Sequence, residues 1–514
     1  MELVRAAEEK LFRDKNIICV ERSVPYLEEL CDSFPVLDRI SAIVDPNPRN
    51  QGILSFRNRD IPVYGMEFLK QAPLEDRIIL ITSDYFEECF DRLRELYGKW
   101  QKNLPGPVYF FANRESAYAL HYRELYADMP LEPVIVFRSG PHADGYVKGM
   151  DFGDNAKALF DYALSIGLNW EYELVWIVKS PEEFAAYRDV PHVSFLPFEA
   201  SVSEEEEVRE RYYRVLCLAR YFFFTDAYGF VRNCRKDQVR VQLWHGCGFK
   251  KRLSRIPCER RYEYMTVTSP WYASIHAKEF GLRTDQMLVT GCAKTDWLFK
   301  DFPGLTERLS IPPCRRCIFW MPTYRFSEKR MHKPVDGALY EETGLPLLSS
   351  GKALLQVEET LARTDTVLVI KLHPFQDRAA VRIGDFSHII LLENETLYQN
   401  RLQINQVLGC ADALISDYSS TAVDFLILDR PMAFLVEDAR QYEDTRGFVV
   451  PDLSDYLPGE QVGSVTAFLD FIEDVARGID RTKEKRAALR EIMHRYKDDG
   501  SCSRILETLG IIGD

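Results

Sequence analysis

The feature that most constrains this chain is the recurrence of short apolar runs separated by stretches of helical periodicity. NIICVE, RISAIVD, IPVYG, RIILITSDY and PVYFFA occupy the first 125 residues. PVIVFRSG, ELVWIVK, VSFLPF, RYFFFTD and VRVQLWHG follow as far as Gly246, and RCIFWMPTYR, TVLVIKLHPF, HIILLEN, ALISDYSS and PMAFLVED form a third series. Runs this short, alternating with amphipathic segments such as EECFDRLRELYGKW, predict βα units and parallel sheets covered on both faces. The expected fold class is therefore α/β.

A chain of 514 residues exceeds what one core ordinarily serves. We expect a small N-terminal Rossmann-like domain over residues 1–125, a second over 126–310 and a third over 311–514 that ends in helices. The segment from Arg308 to Arg316, with Pro312 and Pro313, is the expected hinge between the two larger domains. A content of 46% hydrophobic and 28% charged residues is that of a globular protein. No apolar run reaches the roughly 18 residues of a membrane helix. The opening MELVRAAEEKLFRDK has no signal-peptide core, so the expected location is cytoplasmic. A net charge of −14 argues against nucleic-acid binding. Twelve scattered cysteines point to reduced thiols, and the Cys314–Cys317 pair has no second CxxC to complete a zinc site.

Open α/β sheets bind ligands beyond the carboxyl ends of their strands, so polar residues directly after the apolar runs are the candidates. The first run is followed by Arg22-Ser23-Val24-Pro25 rather than GxGxxG, which leaves a dinucleotide site unsupported. VRVQLWHG delivers His245 beside Gly246 and Gly248, and VLVIKLHPF delivers His373 and Pro374. CIFWMPTYR supplies Pro322, Thr323 and Arg325, and ALISDYSST supplies Asp417, Ser419, Ser420 and Thr421. The hydroxyl cluster opens a helix, where free N–H groups and the helix dipole suit a phosphate; the same residues also serve as an ordinary N-cap. Single strand-terminal histidines are commonly structural. Two at matching positions suggest one general base for an acceptor hydroxyl and one group that stabilises phosphate charge. The basic run GFKKRLSRIPCERR, with Lys250, Lys251 and Arg252, reads either as a solvated helix face or as a site for an anionic acceptor or lipid headgroup.

Taken together, these residues resemble the CDP-glycerol glycerophosphotransferase family, which includes the teichoic-acid primases and polymerases. The resemblance covers about residues 133 to 510. QLWHG resembles the family's QTWHG, and MLVTGCAKTD its segment ending in GxPRxD. MPTYR resembles APTWR, IKLHP the HP element, and ISDYSSTAVDFLILDRP the pattern ITDYSSxxFDxxxxxxP. EDARQYEDTRGFVVPDLSDYLPGE resembles the D…Y…RGF…PG ending. The resemblance implies two facing Rossmann-like domains, the GT-B arrangement, with CDP-glycerol or a related CDP-alditol in the C-terminal half. His245 would be the general base and His373 would contact the donor diphosphate. Ser419, Ser420 and Thr421 would hold the phosphates, Asp424 would position the helix or reach donor hydroxyls, and Arg446 would contact phosphate or glycerol. The acceptor would be a hydroxyl of a cell-surface glycan or lipid-linked molecule, reached by peripheral association with the inner membrane face. No cofactor is demanded, and an assisting Mg2+ is compatible with the chemistry. Cys247, Ala293, Lys294 and Tyr324 depart from the family's Thr, Pro, Arg and Trp, and lysine for arginine keeps the charge but loses the bidentate fork. Two other readings stay open on sequence: a nucleotide-sugar glycosyltransferase, and a non-catalytic binding protein on the same fold.

Overall fold

The computed structural model describes residues 3–6, 9–13, 15–47, 50–71, 77–83, 85–100, 102, 106–140, 149–225, 235–251, 262–322, 342–373, 381–445 and 447–513. Within them the chain builds three sheets, all parallel except for one hairpin. The first contains β1 (Leu3–Arg5), β2 (Asn16–Val20), β3 (Ile40–Val44), β4 (Gly52–Phe56), β5 (Arg59–Tyr64), β6 (Arg77–Ile81) and β7 (Val108–Phe110), in the order β1-β7-β6-β2-β3-β5-β4. The second contains β8 (Glu132–Arg138), β9 (Glu173–Val178), β10 (Val193–Pro197), β11 (Ala219–Phe224), β12 (Val239–Gln242), β13 (Tyr264–Val267) and β14 (Met287–Val289), ordered β10-β9-β8-β11-β12-β13-β14. The third contains β15 (Arg316–Trp320), β16 (Thr366–Lys371), β17 (Ile389–Leu392), β18 (Ala413–Ser416), β19 (Met432–Phe434) and β20 (Glu460–Gln461), ordered β17-β16-β15-β18-β19-β20. The α/β expectation is met by several Rossmann-like parallel sheets.

Strand alternation decides where each side chain goes. In β2, Ile17 and Cys19 join one apolar cluster while Ile18 and Val20 join another, so both faces of the first sheet are covered. In β8, Ile135 and Phe137 face a cluster private to the second sheet. Val134 and Val136 instead enter a large cluster that also holds Cys317 and Phe319 of β15 and Leu414 of β18. The second and third sheets therefore share one core.

β5 falls on the expected run IPVYG, but β4 and its antiparallel hairpin with β5 were not among the expected elements. Its turn is Arg57-Asn58, both with positive φ (46° and 62°), and it lacks the glycine that usually flags such turns. A helix, Leu305–Arg308, ends at the first residue of the expected hinge, and the chain then runs through Pro312 and Pro313 into β15.

After the helix Lys483–Met493 the chain crosses back from the third sheet to the second. His494 donates from Nε2 to the Val423 carbonyl at 2.7 Å, and the Arg495 N–H reaches the Thr268 carbonyl at 2.8 Å. The helix Ser501–Thr508 then places Cys502, Ile505 and Leu506 in the core of the second sheet. Its first turn is received by Asp296, whose carboxylate accepts from the Ser501 and Cys502 N–H groups at 2.9 and 2.8 Å. Burial pushes that carboxyl up to about 6, against the pull of the two N–H groups.

Asp296→Ala removes both acceptors from a buried helix start. Charge-assisted hydrogen bonds of this kind each contribute about 1.5–3 kcal/mol, and the desolvation of the buried carboxylate offsets part of the two together, so a loss of roughly 2–4 kcal/mol is expected in denaturant unfolding. A wild-type midpoint would show that the last helix does not depend on Asp296.

Candidate functional site

The order of strands in each sheet creates a crevice where the connections diverge. In the second sheet that point lies between β8 and β11, and in the third between β15 and β18. His373 and Pro322 follow β16 and β15, and Asp417, Ser419, Ser420 and Thr421 follow β18, so these expected residues stand at the carboxyl ends of three adjacent strands. Asp417 is buried. Ser419 is the N-cap of the helix Ser420–Leu426, accepting from the Thr421 N–H at 3.3 Å. The cap reading of the hydroxyl cluster is thus realised for Ser419. Thr323, Arg325, Pro374, Arg446 and Arg252 lie outside the described residues.

His245 leaves β12 through a loop with unusual backbone, Trp244 at φ +52° and Gly246 at φ +103°. That loop lies directly on the helix Ser420–Leu426 of the third sheet. A Cβ on Gly248 would come within 3.2 Å of the Ser420 Cβ, and the Ser420 hydroxyl reaches the His245 carbonyl at 3.4 Å. The next residues continue the join. Lys251 donates its N–H to the Gly447 carbonyl at 3.0 Å, the Val449 N–H reaches the Phe249 carbonyl at 2.8 Å, and the Lys250 ammonium sits 5.7 Å from the centre of the Tyr442 ring. Lys250 and Lys251 are therefore part of the contact between the two sheets' loops.

Four charged or titratable side chains meet beneath this loop. The His245 ring places Nδ1 2.8 Å from Oδ2 of Asp154, and the side chain is 46% exposed. The Lys294 ammonium lies 3.0 Å from Asp154 Oδ1 and 3.3 Å from Asp424 Oδ2, and donates to the His245 carbonyl at 2.8 Å. Lys294 and Asp424 are buried. Burial alone would raise the Asp154 carboxyl, but Lys294 and the hydrogen bond from His245 hold it well below the usual carboxylate range. Burial likewise opposes the charge on Lys294, yet Asp154 and Asp424 keep its amine well above the ordinary lysine value. Burial pushes Asp424 up, with Lys294 pulling the other way and Asp154 adding to the rise.

Neighbouring amides fix these groups. Asn155 receives the Lys294 N–H at 3.0 Å and donates to the Leu243 and Trp244 carbonyls at 3.3 and 2.9 Å. From the third sheet, Gln403 receives the Asp154 N–H at 3.2 Å and Asn405 donates to Asp424 Oδ2 at 3.4 Å. Asp424 Oδ1 has no hydrogen-bond partner among the described residues, and faces Gly246.

Sequence reasoning singled out His245, Asp424 and Ser420, and the structure brings those three together. It did not single out Asp154, Asn155, Gln403 or Asn405, and it read Lys294 only as a departure from arginine. Asp154 opens the helix that follows β8 but does not directly follow the strand, so the strand-end rule passes over it. Among the described residues, no three histidine, cysteine, aspartate or glutamate side chains are placed to share a metal ion. No described helix is long and apolar enough to cross a membrane.

The sequence model of the CDP-Glycerol:Poly(glycerophosphate) glycerophosphotransferase family matches residues 145–510. The chain belongs to that family. It is 27% identical over 289 residues to the teichoic acid ribitol-phosphate primase of Bacillus spizizenii, a match covering 51% of this chain and 66% of that one. It is 23% identical over 412 residues to the teichoic acid glycerol-phosphate transferase of Staphylococcus aureus, covering 75% and 95% of the two chains. Among solved structures it resembles the wall teichoic acid polymerase TagF, with a TM-score of 0.57 and 18% identity over 83% of this chain and 97% of that one. That last likeness is one of fold. The glycerophosphotransferase family match begins after the first sheet, which leaves residues 1–144 outside it.

Gly246→Ala tests the fit of the His245 loop. Its φ of +103° disfavours any side chain, and a Cβ there would stand 3.1 Å from Asp424 Oδ1. A left-handed non-glycine residue costs about 1–3 kcal/mol, so a matching loss of thermal stability is expected, and an unchanged melting temperature would show that the loop is loosely held.

Proposed function

We propose that this protein transfers glycerol phosphate, or another alditol phosphate, from a CDP-linked donor to a hydroxyl of a glycan or lipid-linked acceptor, releasing CMP. The observation that carries the proposal is the seating of the His245 loop on the Ser420–Leu426 helix, which sets a base candidate beside the phosphate-binding candidates in one crevice. Family membership and the names of the relatives support the donor class. In this reading the second and third sheets form the two facing domains of a GT-B arrangement, with the donor on the third.

The acceptor hydroxyl attacks the β-phosphorus in line while the bond from that phosphorus to the CMP oxygen breaks. The hydroxyl proton passes to His245, and the leaving oxygen departs with CMP. The developing charge is spread over phosphate oxygens, and in this reading His373, Arg446, the Ser419–Thr421 hydroxyls and the N–H groups beside them are the groups that stabilise it. Pro322, Thr323, Arg325, Pro374 and Asp417 are assigned to the donor in the same reading. Alignment and electrostatic stabilisation are the main contributions such a site makes.

The deciding measurement is CMP release from CDP-glycerol and CDP-ribitol, with and without a lipid-linked acceptor. Wild-type protein is expected to release CMP, and His245→Ala to lower the rate by about a hundredfold or more, as for loss of a general base. Turnover only with UDP- or GDP-sugars would overturn the proposal in favour of glycosyl transfer.

In the same reading the enzyme works at the inner face of the membrane, and the basic run with Lys250, Lys251 and Arg252 is proposed to meet anionic headgroups. Replacing all three by glutamine is expected to abolish flotation with anionic vesicles. Flotation equal to wild type would remove the basic run from membrane attachment.

A further inference from the structure

We infer that Asp154 is the positioning residue for His245, and that Lys294 makes this positioning depend on the third sheet by binding Asp154 and Asp424 together. The inference rests on the reading of His245 as the base. It adds the tautomer, the atom that accepts the proton, and the reason for a lysine at position 294.

A neutral imidazole carries one N–H, and an ionised carboxylate can only accept. With Asp154 ionised beside Lys294, the hydrogen on the His245 ring must sit on Nδ1, pointing at Asp154 Oδ2 2.8 Å away. Nε2 then carries the lone pair and has no hydrogen-bond partner among the described residues. Proton abstraction from the acceptor occurs at Nε2, and Asp154 stabilises the imidazolium that results. The other charged groups at this point are Lys294, on the His245 carbonyl, and Asp424, on the far side of that ammonium.

Lys294 has three N–H bonds and meets three acceptors: the His245 carbonyl at 2.8 Å, Asp154 Oδ1 at 3.0 Å and Asp424 Oδ2 at 3.3 Å. A planar guanidinium cannot direct its donors at three oxygens arranged around a point. Asp424 belongs to the third sheet, as does Gln403, which holds the Asp154 N–H. Separation of the two sheets would therefore strip Asp154 of Gln403 and Lys294 of Asp424, and loosen the carboxylate that orients the imidazole.

The substitution Asp154→Asn gives a specific outcome. Lys294 can only donate, so the amide oxygen must face it and the amide NH2 must face His245. Nδ1 then becomes an acceptor and the ring hydrogen moves to Nε2, the atom the reaction needs free. Nitrogen-15 NMR of histidine-labelled protein, with the His245 signals assigned through His245→Gln, is expected to report Nδ1–H in the wild type and Nε2–H in Asp154→Asn. In CMP release from CDP-glycerol, Asp154→Asn is expected to lower kcat by about 10²–10⁴-fold with the donor KM little changed. Lys294→Arg is expected to lower kcat as well.

An Nε2–H tautomer in the wild type, or wild-type kcat in Asp154→Asn, overturns the inference. The wild-type spectrum decides even where a variant fails to fold. It also separates this inference from the proposed function, because the tautomer is read without any donor. Nδ1–H in the wild type with full activity in His245→Ala would leave the pairing intact and remove the base assignment.

Discussion

The Lys294 ammonium binds carboxylates from two different sheets, and the arrangement of the crevice follows from its burial. A buried ammonium, a buried carboxylate and a half-buried one cost far more apart than together, because each charge has left water in whole or in part. Such a group contributes less to net stability than to specificity, since an apolar replacement packs without desolvation and a broken pair leaves a charge stranded. Here what is specified is the meeting of the His245 loop with the Ser420–Leu426 helix. Gly246, at φ +103°, suits the point where the loop passes Asp424, and Gly248 leaves the loop close against Ser420. Asn155 holds the strand-end carbonyls so that the loop turns at the right place.

The scaffold makes that meeting reproducible. A single apolar cluster runs through both sheets, and the chain returns from the third sheet to the second through His494, Arg495 and the helix Ser501–Thr508. Asp296 fastens that helix two residues after Lys294, so one short turn, Ala293–Phe299, secures both the returning helix and the buried ammonium. The aspartate and the lysine of the GCAKTD segment thus have separable roles, one in tying the chain back and one in the crevice.

The sheets were legible in the sequence because parallel strands are buried on both faces and read as unbroken apolar runs. β16 is buried at every position, and its run stands out without any alternation. β1, β4, β13, β14 and β20 escaped because each is short, and β4 is largely exposed, so none forms a long unbroken apolar run. At the site, His245, His373 and Ser419 were visible because they follow such runs immediately. Asp154 was not, because a long glycine-containing connection separates it from the end of β8 and nothing local marks it as that strand's polar successor. Gln403 and Asn405 carry no signal at all, since their partners lie in another part of the chain.

Comparison of two buried lysines shows why burial does not by itself assign charge. Lys294 faces two carboxylates and is held protonated. Lys371, at the end of β16 and two residues before His373, is equally enclosed, but its ammonium reaches the Leu372 carbonyl at 2.7 Å and the Asn394 amide oxygen at 2.6 Å, and burial pushes it down to about 7. Neutral oxygens satisfy an amine's hydrogen bonds without repaying the loss of hydration of its charge. The difference between the two residues therefore lies in the sign of what surrounds them. Position 294 needs the aspartates as much as the aspartates need it, which is why the three residues act as one unit.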